Sequence, residues 1–136
     1  MKNYVVASSL LLASLSVFAA TPAPSDARVY IISPANGELV SSPVKIQFGL
    51  TGMGVAPAGL EKAKTGHHHL IVDANTPNLK KAIPKDAKHI HFGGGQTETT
   101  IELSPGTHTL QLVLGDKAHI PHNNPVISDK ITITVQ

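Results

Sequence analysis

The chain has 136 residues, eleven Lys and Arg against nine Asp and Glu, a formal net charge of +2 and no cysteine. That length fits one domain, and the lack of Cys excludes both a disulfide framework and a thiolate metal site. The charge is nearly balanced, and Lys62, Lys64, Lys80, Lys81, Lys85 and Lys88 are scattered through expected loops. They form no basic, aromatic-interleaved face, which argues against nucleic acid as a partner.

Lys2, the short apolar run Tyr4 to Phe18 and the small residues ending at Ala20 read as a cleaved secretory signal over 1–20. The run is too short for a membrane span, and no later stretch is long and apolar enough for insertion after cleavage. The expectation is a periplasmic, soluble, monomeric domain of about 116 residues with a net charge near +1. A domain of that size buries roughly 65% of its unfolded surface, enough for a core without crosslinks. Residues 21–27 are a Pro-rich leader expected to tether or fray, and 28–136 form the domain.

Arg28 to Ile32 is β-branched and aromatic and is closed by Ser33-Pro34-Ala35-Asn36-Gly37. Val44, Ile46, Phe48 and Leu50 alternate with Lys45, Gln47 and Gly49, the period of a strand with one buried face. Thr51 to Gly66 is Gly-rich, with room for a helical turn over 60–64. Gly66 to Asp73 then reads as a strand carrying three consecutive histidines. On its alternation His68, Leu70 and Val72 face the core, while His67, His69 and Ile71 face outward. Both faces are apolar, so a shift of one residue would exchange them.

A long Pro-punctuated loop over 74–88, with a possible helical turn at 78–83, leads to a short strand from Lys88 to Phe92. Gly93-Gly94-Gly95 is its turn. Thr97 to Leu103 and Thr107 to Leu114 are further strands. Gly115 to Ser128 is a loop, and Lys130 to Val135 ends the chain as an alternating strand. Seven short strands with almost no helical periodicity predict an all-β, immunoglobulin-like antiparallel sandwich. A small cupin-like barrel is the alternative, although neither His-x-His pair has the Glu that the cupin metal motif places after it.

All eight histidines fall between positions 67 and 122. Residues i and i+2 of a strand project to one side with Cβ atoms roughly 6 to 7 Å apart, close enough for both imidazoles to reach one ion at about 2.0 to 2.1 Å. His67 with His69 and His89 with His91 have this spacing, and His119 and His122 lie where a loop can close such a site. Met53 is the only methionine after the signal, so the donors suit Cu(II) or Zn better than Cu(I). Asp73 and Asp116 are candidate carboxylate ligands or acceptors that orient an imidazole.

Other readings compete. His68 is expected to be a hydrogen-bonded core residue. His108, after Pro105-Gly106 at the head of a Leu-rich strand, occupies a position like a tyrosine corner, where a ring bonds back to the preceding turn. His119 to His122 can equally be a rigid loop. Enzyme chemistry has little support: no serine stands in a nucleophile elbow, and Glu98 and Glu102 are general-base candidates by type alone. With only Tyr30, Phe48 and Phe92 as aromatic residues after the signal, a carbohydrate platform is poorly supplied.

Gly52-Met53-Gly54-Val55-Ala56-Pro57-Ala58-Gly59, Thr65-Gly66-His67-His68-His69-Leu70-Ile71-Val72-Asp73, His91-Phe92-Gly93-Gly94-Gly95-Gln96-Thr97-Glu98-Thr99, Pro105-Gly106-x-His108 and Gly115-Asp116-x-x-His119-x-Pro121-His122 together resemble the exported bacterial family called domain of unknown function 4399. The resemblance runs from about Ser33 to Val135. It implies an exported domain and no stated activity. His89 departs from the family pattern, which leaves His91 as the better ligand. A second resemblance, of architecture only, is to periplasmic copper carriers with histidines at one end of a sandwich; their Met-rich signatures are missing here. The expected function is a non-enzymatic, periplasmic protein that holds Cu(II) or Zn through His67, His69, His91, His119 and His122. The alternative is an envelope interaction module that binds a protein or glycan and whose histidines are structural.

Overall fold

Val44, Ile46 and Phe48 are buried while Lys45 is exposed, so the alternation of this segment becomes a strand with one face on the core. The computed structural model of the protein describes residues 20–136. The signal expected over 1–20 therefore lies, apart from Ala20, outside the described residues. Nine strands follow in order: β1 (Arg28–Ser33), β2 (Leu39–Val40), β3 (Val44–Thr51), β4 (Gly54–Val55), β5 (Thr65–Val72), β6 (His89–His91), β7 (Glu98–Ile101), β8 (Gly106–Gly115) and β9 (Ile131–Val135). The seven expected strands are all present, and the two-residue strands β2 and β4 add to them.

No helix forms among the described residues. The turns expected to be helical at 60–64 and 78–83 are not. In the second, Asn78 Oδ1 accepts the Lys80 amide at 2.9 Å, a local side-chain bond that competes with helical pairing.

Two sheets face each other. One has the order β1-β3-β7 and the other β2-β9-β8-β5-β4, with β6 also on β5. The first corresponds to strands A, B and E of an immunoglobulin-like sandwich, and β5, β8 and β9 to C, F and G. β2 joins β9 in parallel, which carries the chain from one sheet to the other. Ile46, Phe48, Leu70, Leu110, Leu112, Leu114 and Ile133 fill the space between the sheets. Each is contributed by alternate positions of its strand, as the period of two requires.

β5 and β8 are buried on both faces. Their outer face carries His67, His69 and Ile71 opposite Gly115, Val113 and Gln111, and the long loops cover it. Ile71 and Val113 pack there with Ile83, Leu79 and Ile127 in a second small core. The leader does not fray: Thr21 Oγ donates to Asp116 Oδ2 at 2.8 Å, and the Asn123 amide donates to Thr21 O at 3.1 Å. Ala23 and Ala27 join the main core.

Candidate metal centre

β5 presents His67 and His69 on its outer face because they are two residues apart. Antiparallel pairing sets His91 of β6 directly across from His69, and residues opposite each other in such a pair share a face. The loop after β8 brings His119 over the same spot. The four rings converge. Centroid separations are 4.6 Å for His67 and His69, 5.0 Å for His67 and His91, 5.0 Å for His67 and His119, and 4.5 Å for His91 and His119. One ligand nitrogen from each ring lies within 4.8 Å of the others, against roughly 3.3 Å between ligands tetrahedral about an ion at 2.0 to 2.1 Å.

The backbone around the cluster is built to admit these rings. A Cβ on Gly115 would stand 2.6 Å from His69 Cε1, and one on Gly93 would stand 2.3 Å from His91 Cε1. His119 has φ 64°, in the left-handed region that His tolerates better than bulky residues do. Asp116 holds that conformation: its Oδ1 accepts the Ala118 and Ile120 amides at 2.9 and 3.0 Å, and its carbonyl accepts the His119 amide.

The outward reading of His67 and His69 is right about the face and wrong about exposure, since both are 1% exposed beneath the covering loops. Burial lowers the His67 pKa to about 4, helped by His119 and His91, and lowers that of His69 to about 3, helped by His67 and His91. Burial also lowers His91, with His119 and Lys85 adding to the shift. These imidazoles are neutral at neutral pH. His69 Nδ1 and His91 Nε2 are buried without a hydrogen-bond partner, a state that buried polar atoms rarely occupy unless something else satisfies them.

The remaining candidates lie elsewhere. His122 is buried outside the group, and its Nε2 donates to Thr65 O at 3.2 Å. His89 bonds Asp86 at 2.8 Å. His68 sits in the main core against Phe48, with ring centroids 5.1 Å apart; both of its ring nitrogens are unpartnered, so it is a core histidine but not a hydrogen-bonded one. His108 does bond back to its turn, through Nε2 to Ser104 O at 2.7 Å, and its Nδ1 meets Asp73 Oδ2 at 2.6 Å. Asp73 thus orients an imidazole, but not one in the cluster. Asp116 orders a loop and makes no hydrogen bond to an imidazole. Glu98 pairs with Lys45 on the other sheet, and Glu102 accepts from Ser42. Gly93 and Gly115 were legible only as turn residues, because what they make room for is brought to them by pairing.

Fold and cluster together define a small immunoglobulin-like sandwich with four convergent imidazoles on the covered outer face of one sheet. The chain belongs to the family described as Domain of unknown function (DUF4399), whose model matches residues 46–136. That span starts later than the expected Ser33 and takes in all four cluster histidines. Comparison with curated proteins and with solved structures finds no match.

Proposed function

We propose that the protein is a non-enzymatic, periplasmic metal-binding domain that holds Cu(II) or Zn through His67, His69, His91 and His119, for storage, delivery or sensing. The observation that carries this reading is the convergence of four imidazoles from two strands and a loop, their ligand atoms within 4.8 Å of one another. Imidazole suits Cu(II) and Zn, whereas Mg and Ca take oxygen ligands that this group does not offer. Burial favours the neutral form of His67, His69 and His91, which leaves each ring one lone pair for an ion. The group contains no carboxylate to serve as a general base for metal-assisted hydrolysis, which supports carriage of the ion over catalysis. Periplasmic placement rests on the signal read over 1–20.

Elemental analysis of protein purified without a nickel column, followed by isothermal titration of the chelator-stripped chain, tests the reading. One Cu(II) or Zn per chain, bound tighter than about micromolar, is expected. His69→Ala should abolish this binding and His122→Ala should leave it intact. Absence of binding, or binding indifferent to His69, would overturn the proposal and favour structural histidines in an interaction module.

A further inference from the structure

The cluster is closed on the sheet side, where His67 and His69 are buried, and less so where His91 and His119 are half-buried. On that side a cavity of about 150 Å³ is lined by His69, Ile83, Pro84, Lys85, His91 and His119. The Ile83 amide donates to His119 O at 2.8 Å, which ties the two loops that form the rim.

Charge at this cavity does not balance for a bare ion. An imidazole ligand brings no negative charge, so the four rings do nothing to offset the charge of a divalent ion, and uncompensated buried charge is costly. Asp116 acts on His67 electrostatically and offsets part of that charge, but its oxygens are engaged by the Ala118 and Ile120 amides and by Thr21 and are not among the converging ligand atoms. The group at the mouth is a cation. Lys85 lines the cavity beside His91 and makes none of the ion pairs found among the described residues. A lone ammonium at the entrance of a cation site opposes the ion by like-charge repulsion unless an anion lies between them.

We infer that the cavity over His69, His91 and His119 is a subsite for a small monoanion, which enters past Lys85 and completes the shell of the bound ion. This rests on the metal reading and deepens it: the site is a ternary one that takes a metal ion and an exogenous anion. Four imidazoles close the shell of a tetrahedral ion, so the position left for an outside ligand is the apical one of a tetragonal Cu(II) ion. Lys85 supplies the second positive contact.

The probe is azide added to the Cu(II)-loaded chain and followed by its charge-transfer absorption and by the copper paramagnetic resonance spectrum. A saturable azide band is expected. Lys85→Gln should weaken azide about fivefold, the scale of one partly screened charge contact, without weakening copper; circular dichroism checks that the exposed substitution leaves the fold unchanged. A chain that takes up copper but shows no azide band overturns this inference alone, as does azide affinity unchanged in Lys85→Gln. A chain that takes up no copper overturns the metal reading and this one together.

Discussion

His67 Nε2 lies 3.0 Å from His119 Nδ1. At that separation one nitrogen carries the hydrogen and the other accepts it, so the two lone pairs cannot both face the same point in this state. Binding of an ion by both nitrogens moves that hydrogen to the far side of its ring, a change of tautomer. Nitrogen-15 spectra of the imidazoles should show this hydrogen bond in the metal-free chain and its loss on addition of Zn. Because the rings of His67, His69 and His91 are already neutral, uptake of the ion at pH 7 should release close to no protons from these three, which titration in buffers of differing ionisation enthalpy measures.

The close approach of Gly115 to His69 and of Gly93 to His91 gives a second test. Gly115→Ala and Gly93→Ala each place a methyl inside the contact distance of a ring. Overpacking of this kind costs about 1 to 3 kcal/mol, and the displaced ring leaves the cluster. Metal affinity should fall at least about tenfold in either variant while the far-ultraviolet spectrum of the sandwich persists. Unchanged affinity would show that the rings are not held where these glycines admit them.

Stability should fall with acid. His67, His68 and His69 have folded-state pKa values lowered, chiefly by burial, to about 4, about 4 and about 3. Because unfolding restores values near 6.5, the unfolded chain binds more protons below that pH. The stabilisation is therefore full above about 6.5 and is lost as the pH falls toward 4, by on the order of several kcal/mol in total. His108 works in the opposite direction. Its pKa is raised, first by the hydrogen bond to Asp73 and then by the Ser104 carbonyl, so its contribution is full below 6.5 and lost as the pH rises through its folded value. Urea midpoints of the metal-free chain should peak near neutrality; a level profile down to about pH 4.5 would contradict the assignment.

His68 presents a stability cost without a visible role in the cluster. Its ring is fully buried and both nitrogens lack partners, a condition that costs about 1 to 3 kcal/mol. His68→Leu keeps the site apolar and close in volume. It should leave the chain as stable or about 1 kcal/mol more stable, reduce the acid sensitivity and preserve metal affinity. Loss of metal binding in this variant would place His68 in the binding machinery.

Asp73 joins the end of β5 to the start of β8, through His108 Nδ1 and the Thr109 amide at 2.8 Å. Asp73→Ala should lower stability by about 1 to 2 kcal/mol and leave metal affinity unchanged, because the cluster sits at the other end of both strands. Thermal unfolding and isothermal titration of the same variant separate the two effects.

Local chemistry made much of this protein legible. Alternation in Val44 to Leu50 and in Ile131 to Val135 predicts one-faced strands, and the structure has them. The turn before His108 and the head of its strand predict the bond to Ser104, a contact four residues long. Other features depend on segments distant in sequence. β2 and β4 are two residues each and exist only because β9 and β5 offer them edges. The leader is held by Asp116 and Asn123, far along the chain.

The same division runs through the histidines. The spacing of two residues in a strand is enough to put His67 and His69 on one face and His68 on the other, because side-chain direction along a strand is a local property. Which face is dry is not local: loops 74–88 and 116–128 fold over the outer face, and only that covering turns an exposed pair into a buried one with lowered pKa values. The register of β5 against β6 brings in His91 and leaves His89 to Asp86, and the Asp116 turn brings in His119 while His122 goes to Thr65. Sequence supplied the ligand type, one pair by its spacing, and His91, His119 and His122 as further candidates. Tertiary pairing chose the other two, because strand register and loop closure are set by contacts between residues that have no neighbourhood in the chain.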